Sequence, residues 1–147
     1  MPPVDAVTTG RGLVTVVIVN YNGGDIILRC LSALQRQQFR EFQTIVVDNH
    51  STDGSVAAIE CQFPSVYILR LETNRGFAGG VNHALRGHVQ SPLVALLNPD
   101  AFPATDWLAN LVSAAAQYPE YAAFGSRMFS DESMQHLDGI GDVYHIS

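Results

Sequence analysis

Oxygen-bearing side chains follow the apolar segment Leu93–Leu97 directly, at Asn98 and Asp100. A short apolar run predicts a buried parallel strand, and Pro99 ends it because proline donates no backbone hydrogen bond. An amide oxygen and a carboxylate two residues apart can reach one point beyond that strand. Such a pair suits a hard divalent cation that keeps its other positions for water or phosphate. The alternative is a polar turn after a core strand.

Polar residues also follow two earlier apolar segments. Asn20, Tyr21 and Asn22 come after Leu13–Val19, which is rich in β-branched residues, and Asp48 ends a second run of this kind. Asp48 can accept a hydrogen bond from the N–H of a nucleotide base, or it can cap the turn that follows it. Its position alone leaves both interpretations open.

A glycine-rich segment approaches a third predicted helix and contains Asn74, Arg75, Gly76, Gly79 and Gly80. Backbone N–H groups and the helix dipole at a helix N-terminus can hold an anion, and Arg75 adds a charged donor. The alternative is a tight turn, in which the paired glycines let the helix pack closely on the sheet.

The elements that must position these residues alternate along the chain. Strands are predicted at 13–19, 44–47, 66–71 and 93–97, with 122–128 as a candidate fifth, and residues 130–141 are predicted to be loop. This alternation predicts an α/β fold: a doubly wound, mostly parallel sheet with helices on both faces. In such sheets ligands bind beyond the carboxyl ends of the strands, where the polar residues lie. Four helices are predicted. The first follows a cap at Asp25 and has an apolar stripe from Ile26 through Cys30 to Leu34, and the second follows a cap at Ser51 or Asp53. The third runs from about Gly80 to Val89, and the fourth from Asp106 to Tyr118.

Composition narrows the function further. The 147 residues are 47% hydrophobic and carry a net charge of −6, which fits one globular domain after a flexible leader at 1–12 and argues against nucleic-acid binding. A phosphorylated ligand would need a metal, a helix N-terminus or a few placed arginines. Two cysteines and the lack of a signal peptide or of a run of about 20 apolar residues predict a cytoplasmic protein. Peripheral association with the membrane stays open.

Common nucleotide-binding motifs are missing. No G-x-G-x-x-G follows the first predicted strand, and a P-loop requires a lysine, which the chain lacks. The five histidines show no metal-ligand spacing, and no nucleophile–histidine–acid set is assignable. Dinucleotide-binding and P-loop proteins are therefore disfavoured.

Four segments occur in order, Val16–Asn22, Val46–Gly54, Asn74–Asn82 and Leu96–Asp100. Together they resemble the family-two inverting glycosyltransferases of the GT-A fold, particularly the bacterial rhamnosyltransferase-like branch. The resemblance covers nearly the whole chain, from Leu13 to Tyr144. Each segment alone is a weak signal, whereas four in order at fitting intervals are specific.

The resemblance implies a role for each segment. Residues 20–22 and Asp48 would hold the nucleotide base, and residues 74–80 would flank the ribose and diphosphate. Asn98 and Asp100 stand where the family has its D-x-D metal motif, so both are predicted ligands of Mg²⁺ or Mn²⁺. Asn98 replaces the first aspartate of that motif, which leaves Asp100 as the anionic ligand.

The family also implies a reaction and its partners. The donor would be a nucleoside-diphosphate sugar, with dTDP-rhamnose as the specific guess, and the acceptor a saccharide or a lipid-linked glycan. The catalytic base, an Asp or Glu, and the acceptor-binding half are expected beyond Ser147. The chain is then predicted to be a donor-binding half that self-associates through an uncovered surface.

Two other classes remain as alternatives. A sugar nucleotidyltransferase also uses a doubly wound sheet and a metal, but it usually has a basic glycine-rich loop after its first strand. The segment Asn20–Gly24 contains no basic residue. A module that binds nucleotide sugar or a partner chain without turnover is the second alternative.

Overall fold

The computed structural model describes residues 12–130 and the backbone of a strand at 137–139. The predicted leader lies outside these residues except for Gly12. The chain forms two compact units, Met1–Trp107 and Leu108–Ser147. All predicted donor-site and metal-site residues belong to the first unit.

A four-stranded parallel sheet forms the centre of the first unit. Its strands are β1 (Val14–Asn20), β2 (Phe42–Asp48), β3 (Tyr67–Arg70) and β4 (Leu93–Leu96), and they are arranged in the order β3-β2-β1-β4. The order reverses at β1, which is where doubly wound sheets bind their ligands. Every residue of β1 is buried because this central strand is covered on both faces.

Helices cover both faces of the sheet, as predicted. The first two, α1 (Gly24–Gln35) and α2 (Ser55–Gln62), contact each other, whereas α3 (Gly76–Gly87) contacts β1 and β2. Right-handed crossovers that run in opposite directions put their helices on opposite faces, so α3 lies across the sheet from α1 and α2. The α3 face is closed by a buried apolar cluster: Val17, Val19, Ile45, Val47, Leu69, Leu71, Val81 and Ala84.

The start of α1 differs from the prediction. Gly23 is the N-cap, and Asp25 lies in the first turn without capping the helix. Ile26, predicted on the apolar stripe, is 48% exposed, whereas Cys30 and Leu34 are buried as predicted. The N-cap thus lies two residues earlier than the predicted cap, and Ile26 lies in the first turn of the helix.

The start of α2 depends on a glycine rather than on a polar cap. Its N-cap, Gly54, has a φ of 82°, a left-handed conformation that glycine adopts without strain. Of the two predicted caps, Asp53 contributes, because its Oδ1 accepts hydrogen bonds from the N–H and the hydroxyl of Ser55. Ser51 instead binds the loop after β1.

The start of α3 lies earlier than predicted. The helix begins at Gly76, so Gly79 and Gly80 are helical rather than part of an approach loop. Gly76 has a φ of 68°, which closes the turn at the start of the helix. Gly80 is buried against β1, and this packing outweighs the low helix propensity of glycine.

The second unit contains most of α4 (Trp107–Gln117), which agrees with the predicted helix within one residue at each end. The predicted strand at 122–128 is wrong, since only β5 (Met128–Phe129) forms there. It pairs antiparallel with β6 (Leu137–Gly139), inside the segment predicted to be loop. Strands this short depend on their pairing partner, which local pattern does not reveal. Within residues 12–130, no helix is both long and apolar enough to cross a membrane.

Candidate functional site

The carboxyl ends of the parallel strands meet at one edge of the sheet, which we call the carboxyl edge. Asn20, Asp48 and Arg70 end three neighbouring strands and are register partners in turn. The N–H of Leu97 still bonds to the carbonyl of Val17, so the chain leaves the sheet on the same side after β4. The predicted convergence of polar residues is therefore observed.

Asn20 is completely buried and faces the protein interior. Its Nδ2 donates to Ser51 Oγ at 3.1 Å and to Ser55 Oγ at 3.0 Å, which ties the end of β1 to the loop after β2. Its Oδ1 is a buried oxygen without a hydrogen-bond partner and lies against Gly23. The predicted direct contact of this side chain with a donor does not fit its burial, and Asn20 instead holds the two loops together.

Tyr21 and Asn22 lie at the surface of the carboxyl edge. Tyr21 is 54% exposed. Asn22 has a φ of 52°, and its Oδ1 accepts a 2.8 Å hydrogen bond from the N–H of Thr52. Its own N–H donates to Ser51 Oγ at 3.0 Å. The loop after β1 is thus fixed, with the Tyr21 ring available to a ligand.

The structure shows one of the two interpretations of Asp48, the turn cap, and its contact with a nucleotide base stays a prediction. Its Oδ1 accepts a 3.2 Å hydrogen bond from the N–H of Ser51, which is the turn-capping role. The same side chain lines an open depression of about 410 Å³, together with His50, Thr52 and Arg70 among others. A carboxylate that is 5% exposed at such a depression can still accept a hydrogen bond from a bound base.

Asn49 is a residue that the sequence prediction missed. It is only 2% exposed, and its Oδ1 accepts a 2.8 Å hydrogen bond from the N–H of Arg75. Its Nδ2 donates to Asn74 Oδ1 at 2.8 Å and to the carbonyl of Gly76 at 3.2 Å. An asparagine directly after a buried strand-end aspartate was the available signal, but spacing does not show which loop it reaches.

The start of α3 presents a charged residue, Arg75, to solvent. Arg75 is the N-cap and is exposed, and Asn74 Oδ1 accepts a 2.8 Å hydrogen bond from the N–H of Gly76. The two helical glycines have structural reasons. A Cβ at Gly79 would lie 2.6 Å from the Arg75 Cβ, and one at Gly80 would lie 2.9 Å from Val19 Cγ1. Gly80 therefore serves packing, which was the alternative to its predicted ligand contact.

Asn98 and Asp100 are both exposed in a turn beyond β4, closed by a bond from the N–H of Ala101 to the Asn98 carbonyl. Among residues 12–130 no three His, Cys, Asp or Glu side chains form a metal-binding group. One carboxylate and one amide oxygen are too few for a cation held by protein alone. They fit a Mg²⁺ or Mn²⁺ that takes its remaining ligands from phosphate and water.

The segment that carries Asp100 is anchored on α1. Cys30 Sγ donates to the Asn98 carbonyl at 3.6 Å, and the Arg29 guanidinium lies 4.6 Å from the centre of the Phe102 ring. Farther along, Gln37 Nε2 donates to the carbonyl of Ala104 at 2.6 Å. These contacts fix the position of the turn. Two side chains can bind one cation only if the backbone that carries them is held in place.

Two groups near the carboxyl edge have shifted pKa values. Burial, together with the nearby charge of Asp100, raises the pKa of the Cys30 thiol to about 12, so this cysteine stays protonated and structural. Hydrogen bonds from the Ser55 hydroxyl, and from the N–H groups of Ser55 and Gly24, lower the pKa of Asp53. Asp53 thus remains an anion that joins the loops after β1 and β2.

The family model described as "Glycosyl transferase family 2" matches residues 15–137, which are most of the chain. The chain belongs to glycosyl transferase family 2. The family-two domain has the GT-A fold that the resemblance implied. The narrower assignment to a rhamnosyltransferase-like branch remains a prediction.

Relatives of this family-two domain are longer proteins. Glycosyltransferase YfnE of Bacillus subtilis is 33% identical over 104 residues, which are 68% of this chain and 26% of that protein. The N-acetylglucosaminyl-diphospho-decaprenol L-rhamnosyltransferase of Mycobacterium tuberculosis is 29% identical over 120 residues, 75% of this chain and 39% of that enzyme. The chain thus spans well under half the length of these relatives.

Solved structures agree with the fold of the family-two domain. The mannosyltransferase PcManGT from Pyrobaculum calidifontis, in complex with GDP-Man and Mn²⁺, has a TM-score of 0.70 and 30% identity, and the match covers 82% of this chain and 36% of that one. S. aureus TarS 1-349 in complex with UDP-GlcNAc has a TM-score of 0.67 and 22% identity, covering 80% of this chain and 38% of that one.

Proposed function

We propose that this family-two domain binds the sugar donor of a metal-dependent inverting glycosyltransferase. The observation that carries the proposal is the convergence at one sheet edge of a carboxylate at a depression, a helix start with an arginine, and a carboxylate–amide pair. Asp48, Arg75 and Asp100 are the three charged members of this set. Such an edge can hold a base, a diphosphate and a cation side by side.

The nucleoside would lie at the depression beside Asp48. The Asp48 carboxylate accepts a hydrogen bond from the base N–H, and the exposed ring of Tyr21 offers a face for stacking. Asn22 contributes by holding this loop against Thr52. Asn20 contributes indirectly, since its buried amide holds the loop after β1 to the loop after β2.

The ribose and diphosphate would follow along the start of α3. The first N–H groups of a helix have no partners within the helix, and they attract an anion together with the positive end of the helix dipole. Arg75 supplies positive charge at this point of a chain whose net charge is −6, and Asn74 and Gly76 shape the turn. Gly79 leaves room for the Arg75 side chain.

Asp100 and Asn98 would hold Mg²⁺ or Mn²⁺ against the diphosphate. The cation supplies charge neutralisation for the departing nucleoside diphosphate. The chain's own contribution is to place Asp100 through the contacts of its segment with α1. In the reaction, the acceptor oxygen bonds to the anomeric carbon as the bond to the diphosphate oxygen breaks, and a carboxylate outside the donor site takes the acceptor proton.

The donor we propose is dTDP-rhamnose, and the acceptor is a saccharide or a lipid-linked glycan. The name of the Mycobacterium tuberculosis relative, an L-rhamnosyltransferase acting on a diphospho-decaprenol compound, supports both choices. Lipid-linked acceptors would place the enzyme in the cytoplasm at the inner face of the membrane. Self-association of this chain through uncovered apolar surface belongs to the same proposal.

A panel of nucleotide sugars separates this proposal from its rivals. We expect dTDP-rhamnose to raise the melting temperature of the protein in the presence of Mn²⁺, and to do so much less with EDTA or in Asp100→Ala, because a ligand stabilises the state that it binds. Release of thymidine diphosphate with and without added acceptor then distinguishes transfer from binding alone. If no nucleotide sugar shifts the melting temperature at millimolar concentration, the donor-site proposal fails.

A further inference from the structure

We infer that Asn49 is a positioning residue that links the base site to the diphosphate site. The inference rests on the proposed donor-binding function and adds a residue that touches no ligand. Asn49 immediately follows Asp48 and is 2% exposed. Its side chain reaches 25 to 27 residues along the chain to the turn that starts α3.

Three hydrogen bonds occupy the Asn49 amide. The N–H of Arg75 can only donate and the carbonyl of Gly76 can only accept, so these two partners settle which end of the amide is oxygen and which is nitrogen. The third partner, Asn74 Oδ1, also accepts from the N–H of Gly76. All three residues of the turn are therefore fixed by one side chain.

The backbone of Asn49 is fixed as well. Its N–H donates to the carbonyl of Asn20 at 2.8 Å, at the end of β1. The side chain thus starts from a rigid point between the two central strands and has little freedom to follow a moving turn. Asn49 therefore fixes the distance between Asp48 and Arg75.

Only an asparagine meets these requirements. Aspartate keeps an oxygen for the Arg75 N–H but has no donor for Asn74 Oδ1 and Gly76 O, and its second oxygen would face two acceptors. Glutamine keeps both functions but is longer by one methylene in a buried position. Alanine removes all three bonds that hold the turn at 74–76 to the end of the strand.

The consequence concerns the diphosphate rather than the nucleoside. Arg75 is the N-cap of α3, and the backbone at this residue sets the direction of its exposed guanidinium. Once Asn49 is removed, the turn at 74–76 can relax while the Asp48 side chain keeps its own bond to Ser51. We therefore expect base recognition to survive and diphosphate recognition to weaken.

The test compares nucleoside and nucleoside diphosphate binding in matched variants. Thymidine, uridine and guanosine are titrated by NMR, and their diphosphates by calorimetry with Mn²⁺, against wild type, Asn49→Ala, Asn49→Asp and Gln43→Ala. Gln43→Ala is the control. Gln43 lies at the opposite end of β2, the strand that Asn49 follows, and the substitution removes a 2.8 Å hydrogen bond from Gln43 Nε2 to Thr15 Oγ1. We expect Asn49→Ala and Asn49→Asp to weaken the tightest diphosphate about tenfold, the loss of one charge-assisted hydrogen bond, with nucleoside affinity unchanged.

A double-mutant cycle with Arg75→Ala excludes a general loss of structure. If Asn49 acts through Arg75, Asn49→Ala should have little further effect on diphosphate affinity in the Arg75→Ala background. The inference is overturned if nucleoside and diphosphate weaken in parallel, if the two substitutions are additive, or if Gln43→Ala produces the same selective loss. Should Asn49→Ala fail to fold, Asn49→Ser decides the same comparison, because it shortens the side chain without adding a negative charge that would itself repel the diphosphate. Wild-type protein that binds no diphosphate would instead refute the proposed function itself.

Discussion

Replacing Gly80 with alanine tests how closely α3 approaches the sheet. The added Cβ would lie 2.9 Å from Val19 Cγ1 and 3.0 Å from Val19 Cγ2, whereas nonbonded carbons settle at about 3.5–4.0 Å. Val19 is β-branched and lies in the central strand, so its side chain has few other rotamers to adopt. The helix must therefore move outward by about 0.5–1 Å, the difference between these distances.

The cost of this movement can be isolated with a second glycine of the same helix. Overpacking of this kind costs about 1–3 kcal/mol, while alanine gains up to about 1 kcal/mol over glycine in helix propensity. Gly87 ends α3 and has no atom within 4 Å of an added Cβ. We expect Gly80→Ala to have a free energy of unfolding lower than that of Gly87→Ala by about 1–3 kcal/mol.

Urea denaturation followed by circular dichroism measures this difference. Because α3 begins with Gly76 next to Arg75, we also expect Gly80→Ala to bind nucleoside diphosphate more weakly at a temperature where it is fully folded. Gly87→Ala should bind as wild type does. Equal unfolding free energies for the two variants would refute the assignment of Gly80 to packing and return it to the list of ligand contacts.

Four other substitutions test the remaining parts of the site. Asp100→Ala should abolish metal-dependent binding of nucleoside diphosphate in calorimetry while Asn98→Ala only weakens it, since Asp100 alone brings a full charge; unchanged affinity in Asp100→Ala would remove the metal assignment. Asp48→Ala should weaken nucleoside binding by about 1.5–3 kcal/mol, the value of a charged hydrogen bond, and a variant that binds as tightly as wild type would leave Asp48 as a turn cap only. The lowered pKa of Asp53 means that its ionised form stabilises the fold above its unfolded pKa of about 3.9, and that this contribution is lost as the pH falls through the lower folded value. The stability advantage of wild type over Asp53→Asn should therefore shrink between pH 7 and pH 3, and a constant difference in urea midpoints would contradict the loop-joining role.

The sequence by itself predicted the order of the elements of the first unit and the edge of the sheet at which function lies. Strands such as Val14–Asn20 are indicated by runs of β-branched residues, and helices are indicated by apolar residues at helical spacing. Those signals are local, and a parallel sheet necessarily brings the ends of its strands together. The positions of Asp48 and Asp100 at one edge therefore followed from pattern alone. The short strands β5 and β6 could not be predicted in this way, because the local pattern of each segment does not show that the two segments pair.

Only the tertiary structure decided which polar residues face the ligand edge and which hold it together. Asn20 and Asn22 stand two apart in one loop, yet the first is buried under Ser51 and Ser55 while the second lies at the surface. Asn49 gained its importance from a turn 25 residues away. Hydrogen bonds between distant loops depend on how the strands are ordered in space, and no local spacing encodes that order. The residue types thus predicted which chemistry the carboxyl edge can perform. Which of its asparagines and glycines face a ligand and which have a structural role could be decided only from the fold.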